Sequence, residues 1–182
     1  MRLQFTFQSL SEFIAAGEER VITGYISVIL SQVNLMNLFE RRQVFSMDCC
    51  GMPVYANTTR GRCGQCGNMV HLRVNPNLIG GMADETGGVG CALAPVAASQ
   101  TSKKKAHSKV LWTDEAWCQL LGRSAEELAA FCREDVTVKT KKENSNMLRY
   151  LEQRLLWMRV VLMVGWTGDV GGGRLAVLRV VG

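Results

Sequence analysis

Residues 20–35, RVITGYISVILSQVNL, decide the fold class. Val21, Ile22, Thr23, Tyr25, Ile26, Val28 and Ile29 are β-branched or aromatic, types whose stiff side chains fit a pleated, half-buried surface. The stretch predicts one long, bent strand, with Gly24 as its bulge or kink. Its counterparts lie at the far end of the chain. Residues 155–166 (LLWMRVVLMVGW) and 174–181 (RLAVLRVV) are two more β-rich runs, joined by Asp169-Val170-Gly171-Gly172-Gly173, a hairpin signature. Residues 69–74 and 77–84 return as strands, and 109–112 is a short one.

Helices punctuate this pattern. A short strand and a helical turn begun at Ser9 or Ser11 and stopped by Gly17 occupy residues 1–18, an N-terminal extension. Thr113 or Asp114 caps a helix running through Trp117, Leu120 and Leu121 to Gly122. Ser124 followed by Glu126 and Glu127 opens a second helix over 125–132 in a near capping-box pattern. Residues 143–154 are partly helical. The expected class is therefore all-β: a five-stranded closed or nearly closed barrel over residues 19–182, with a helical insert at 113–150. Residues 87–106, rich in Gly, Ala, Ser and Thr and carrying Lys103-Lys104-Lys105, are expected to be a flexible loop.

A chain of 182 residues that is 47% hydrophobic and 20% charged can bury a real core. The formal charge of +5 tolerates a phosphate backbone without demanding one. The first residues lack a secretory cleavage pattern, and no apolar run reaches the roughly 18–20 residues that span a bilayer. A membrane partner is thus not expected. Nor is catalysis or a small-molecule substrate. His71 and His107 stand apart without a paired carboxylate or nucleophile, and Gly171-Gly172-Gly173 lacks the Lys-Ser/Thr of a phosphate-binding loop.

The seven cysteines are an odd number, and four fall in residues 49–66, CCGMPVYANTTRGRCGQC. Zinc takes about four soft ligands in a tetrahedron, and Cys63-Gly64-Gln65-Cys66 supplies two of them from one tight turn. Cys49 and Cys50 are the upstream pair, making residues 45–72 a small zinc-ribbon insertion. Adjacent strand residues point to opposite faces, so the fourth position stays open. Cys49 through a distorted turn, His71, a residue from elsewhere, or no ligand at all are the choices. A degenerate site without metal is the alternative, while redox chemistry lacks the helix start that lowers a thiol pKa. Cys118 and Cys132 are expected to be buried thiols and Cys91 an incidental loop residue.

The chain resembles the C-terminal OB domain of the replication protein A large subunit and its relatives in single-strand-binding assemblies. The resemblance rests on Asp48-Cys49-Cys50, Val54, Cys63-x2-Cys66, the Asp84-Glu85-Thr86-Gly87 turn, residues 110–122 (VLWTDEAWCQLLG) and the closing hairpin. It covers roughly residues 20–182. It implies an OB-fold barrel, a structural Zn2+, a nuclear location, single-stranded DNA as ligand, and other subunits of an OB-fold complex as partners. Replication, DNA repair, telomere capping and meiosis are the settings it implies. The family's first zinc-binding cysteine falls near Phe45, with Cys49 as the substitute. Of two stacking positions, Trp112 matches one and the other falls near Ser108. The chain ends without the family's trimerising C-terminal helix, which points to a specialised relative or a fragment.

Single-strand grooves use flat aromatic platforms flanked by cations, each stack being worth about 1–3 kcal/mol. Trp112 is the first candidate, Trp166 near the hairpin tip the next, and Tyr55 in the ribbon the third. Arg60, Arg62 and Arg73 surround the ribbon, and Lys139, Lys141 and Lys142 precede the late helix. These cations would give salt-sensitive attraction. The competing expectation is a scaffold that docks partner proteins and binds nucleic acid weakly or not at all. Met147, Trp157, Met158 and Met163 would then include an interface anchor, with Trp117 and Trp157 in the core or facing the partner.

Overall fold

The structure is a computed structural model that describes residues 4–15, 21–86, 110–133, 137–167 and 174–181. The expected flexible loop at 87–106, with Lys103–Lys105 and Cys91, lies outside the described residues, as do His107, Ser108 and the turn at 169–173.

The long run forms as expected. Strand β2 (Val21–Val33) follows the short β1 (Gln4–Phe5) and helix α1 (Phe7–Ala15). Along β2, Gly24, Ile26, Val28 and Leu30 are buried in alternation, the period of a strand with one face on a core. On one edge β2 pairs antiparallel with β10 (Arg159–Thr167), continuously through Gly24. The expected bulge is not at Gly24; the register slips instead around Ser31, against β8 (Ile79–Ala83). The other edge of β2 is shared in tandem, by β1 at Tyr25 and Ile26 and by β8 at residues 29–33. β10 also pairs with β11 (Arg174–Val181), and β11 pairs in parallel with β9 (Leu111–Trp112).

This six-stranded sheet runs β1-β2-β10-β11-β9 with β8 on β2. Two smaller sheets, β4-β3-β7 and β5-β6, accompany it, built from β3 (Phe45–Cys49), β4 (Met52–Ala56), β5 (Arg60–Arg62), β6 (Met69–His71) and β7 (Arg73–Val74). Among the described residues no sheet closes. The all-β, five-stranded OB-fold barrel expected from the sequence is therefore corrected to a mixed α/β fold of three open sheets and five α-helices. At its described edge the sheet ends on β9, only two residues long, and beyond it β11 meets helix α3 (Asp114–Leu121) and its cap: Thr113 N–H donates to Val177 O, Thr113 Oγ1 to Leu178 O, and Val180 N–H to Gln119 Oε1.

The helices start and stop where side chains meet their end groups. Thr113 Oγ1 accepts from Ala116 N–H, and Gly122 ends α3 in the left-handed region at φ +67, the conformation glycine adopts at least cost. Ser124 and Glu127 form a complete capping box at α4 (Ala125–Phe131). α5 (Val138–Leu155) is longer than residues 143–154, and it buries Leu148, Leu151 and Leu155. Glu152 on α5 accepts from Met36 N–H in the first turn of α2 (Leu35–Glu40), locking the two helices together.

The main core gathers Leu10, Ile26, Leu30, Leu121, Leu128, Leu148, Leu151, Leu155, Leu162 and Val177, with Phe7 buried beside them. The N-terminal segment is thus part of the packing, and Phe7 N–H is held by Asp84 at the end of β8. Two buried asparagines seat the small sheets against this body. Asn57 Nδ2 donates to Phe39 O at 2.9 Å, and Asn75 Nδ2 to Gln43 O at 2.8 Å. Buried amides need such partners, so these bonds fix the approach of the ribbon.

Candidate metal centre and nucleic-acid interface

The cysteine pair that strand geometry appeared to forbid is solved by a turn. β3 and β4 pair from Phe45↔Ala56 to Cys49↔Met52, leaving a two-residue loop of Cys50 and Gly51. Both have positive φ, +52 and +73, as the tight hairpin turns that match strand twist require. Cys50 has left the strand, so its thiol does not follow the alternation that would send it away from Cys49. The two Sγ atoms lie 3.8 Å apart.

Cys63 and Cys66 come from the loop between β5 and β6. Gly67 N–H donates to Cys63 O and Cys63 N–H to Asn68 O, both at 2.9 Å, with Gly67 at φ +73. Arg62 Nε donates to Gly67 O at 3.0 Å and clamps the knuckle from outside. The hairpin packs onto the inner face of β3–β4. A Cβ on Gly61 would come within 2.9 Å of a Leu72 methyl and 3.0 Å of a Val54 methyl, so glycine permits this approach without displacing either side chain.

Cys49, Cys50, Cys63 and Cys66 thereby bring four Sγ atoms within 4.8 Å of one another, with Cys49 and Cys66 at 3.7 Å. A tetrahedron of thiolates at the usual zinc–sulfur length of about 2.3 Å has edges of about 3.8 Å. The donor set and spacing match a structural zinc site, and Cys49 occupies the fourth position left open by the sequence. His71 stands across from Arg60 in the β5–β6 pairing and is not in the cluster. Backbone N–H groups of Cys66 and Gln65 lower the Cys63 thiol to about 7. Hydrogen bonding to Cys63, then to Cys66 and Cys50, pushes Cys49 up to about 12.

The proposed nucleic-acid contacts do not converge. Trp112 is 8% exposed and stacks on Trp117 with ring centroids 4.6 Å apart. Trp166 is also 8% exposed, among the core residues. Both rings are packed into the body with little of their surface exposed. Tyr55 is exposed and shares a cross-strand row with Ser46 and Arg73 on the outer face of the β4-β3-β7 sheet. Arg73 lies 3.9 Å from Asp114. Arg60 and Arg62 project from the opposite side of the ribbon, on the exposed face of β5–β6 with His71 and Met69. Lys141 and Lys142 are exposed in the first turns of α5.

Cys132 is buried as expected, whereas Cys118 is exposed. Trp157, placed by its sequence in a core or against a partner, is 69% exposed. Met47, Met52 and Met69 are exposed around the ribbon, which the sequence did not reveal. Short alternating strands carry that signal, because both faces of so small a sheet cannot be covered. No helix among the described residues is long and apolar enough to cross a membrane.

No protein-family model and no curated protein matches this chain. Among solved structures it is similar to a replication protein A heterotrimer bound to ssDNA, at 14% identity and a TM-score of 0.49, covering 99% of this chain and 36% of that one.

Proposed function

We propose that this chain is a non-catalytic module that binds single-stranded nucleic acid through its metal-stabilised ribbon, within a nuclear genome-maintenance assembly. The observation that carries this reading is the exposed face of the β5–β6 hairpin. Arg60 and His71 form one cross-strand pair, Arg62 and Met69 the next, and all four side chains are exposed. Cations on a rigid hairpin meet a phosphate backbone at fixed spacing, and their ordering is supplied by the metal site. Tyr55 on the other side of the ribbon adds one accessible ring. Single-stranded DNA is the ligand that the resemblance implies, with replication, repair and telomere maintenance as its settings.

A second reading, partner docking, is favoured by one specific observation. Trp112 and Trp166 are packed away while Met47, Met52 and Met69 are exposed beside the cysteine cluster. Adaptable thioether side chains suit protein contacts.

Fluorescence polarisation of a labelled oligothymidylate at two salt concentrations tests the first reading. Wild type is expected to bind, with affinity falling as salt rises. Arg60→Glu should weaken binding several-fold and flatten the salt dependence, since each phosphate contact contributes about 0.7 to the logarithmic slope for single strands. Absence of binding at low salt would leave docking as the function.

A further inference from the structure

α5 ends at Leu155, and two residues later Trp157 sits at φ +65. Glycine usually holds this left-handed position after a helix, because a Cβ is crowded there. The turn is fixed from several sides. Leu156 N–H donates to Glu152 O, Met158 N–H to Leu155 O, and Leu30 N–H to Met158 O, each at 3.0 Å. Trp157 N–H itself donates to Leu30 O at 2.8 Å. A bulky residue is thus held in a disfavoured conformation by the backbone of the main sheet. Its indole gains no burial in return: it is 69% exposed, against 8%, 2% and 8% for Trp112, Trp117 and Trp166. A strained residue kept in place by its surroundings is a mark of function.

The helix that leads to this turn carries an excess of cations along its length. Opposite the buried stripe of Leu148, Leu151 and Leu155, the outward face of α5 carries Lys139, Lys142 and Arg149 against the single carboxylate Glu143. Tyr150 is 59% exposed on the same face. Arg159, two residues beyond Trp157, is exposed at the start of β10.

We propose that Trp157 is a base-stacking platform for a single-stranded nucleic acid whose phosphates run along the cationic face of α5. The proposal rests on the nucleic-acid reading above and places a second contact region away from the ribbon. Excess cations favour a polyanion over an apolar protein partner, and a flat ring carried on a fixed backbone accepts any base.

Trp157→Gly tests it, because glycine suits the local φ while removing the ring. The variant should keep the fold and melt no lower than wild type. Its affinity for a labelled thymidine 20-mer should fall about 5- to 150-fold, the range expected for one lost stack. In wild type the oligonucleotide should quench the solvent-exposed tryptophan emission, and Trp157→Gly should lose that quenching. Trp157→Phe should recover part of the affinity. Oligonucleotide binding that is sensitive to Arg60→Glu but unchanged in Trp157→Gly would overturn the platform and leave the ribbon reading standing. A wild-type chain that binds no oligonucleotide would overturn both. A melting temperature that drops in Trp157→Gly would show the ring to be structural and would also sink the proposal.

Discussion

The six-stranded body and the cysteine ribbon use different means to hold their strands. In the body, β2 and β10 share a nine-residue register, and α5 lays Leu148, Leu151 and Leu155 into a core with Leu30 and Leu162. Apolar burial of this kind contributes roughly 25 cal/mol per Å2 and needs no ligand. In the ribbon, β5 and β6 are three residues each and β7 is two. Phe45, Val54, Leu72 and Val74 are buried there, but Met47, Met52, Tyr55 and Met69 stay exposed. Four convergent thiols lie where the ribbon's two hairpins meet. The difference teaches that one chain can combine a region whose fold follows from pattern with another whose fold depends on coordination chemistry.

The strongest way to break the comparison is to remove the metal. Structural zinc sites contribute about 10–16 kcal/mol of apparent binding energy. Chelation, or Cys63→Ser, should strip hydrogen-exchange protection from residues 45–74 while β2, β10 and α5 keep theirs. Simultaneous loss across β2 and β10 would show that the two regions form one cooperative unit. The reciprocal test is Trp117→Ala. It removes a ring that is 2% exposed and stacked on Trp112, and should cost the body about 3–5 kcal/mol in urea unfolding. Cobalt substituted at the four thiols should keep its thiolate charge-transfer spectrum in that variant below its unfolding transition. The smallest effect sharpens the picture within the body. Ser124→Ala removes half of the capping box and should cost about 1 kcal/mol, with no change in cobalt affinity.

What the sequence made legible follows the same division. β2, β10 and β11 were readable because β-branched residues are dense in them, and the caps at Thr113 and Ser124 because capping needs only local chemistry. Openness of the sheet was not readable. It is set by which segments meet across the sheet, as where Thr113 and Gln119 reach β11 from 61 to 65 residues away in the chain. The full length of α5 was hidden by its polar first turns, which carry no apolar stripe. In the ribbon, the four cysteines and their metal chemistry were legible, and a turn uniting Cys49 with Cys50 was one of the alternatives; which alternative holds was not legible, since a positive φ at Cys50 has no residue signature. Trp112 shows the limit for the ligand surface. Its type suited a stacking platform, yet its neighbour Trp117 already covers the ring.

The hydroxyl of Thr113 and the amide of Gln119 have a consequence beyond sheet shape. An outer strand with bare N–H and C=O groups is a template on which a strand from another molecule can add, and repeated addition leads to aggregates. β9 covers β11 only at Ala176 and Val177, so the stretch from Leu178 to Val181 would otherwise present such groups along one side. By occupying Leu178 O and Val180 N–H, two side chains deny a foreign backbone its register along that stretch.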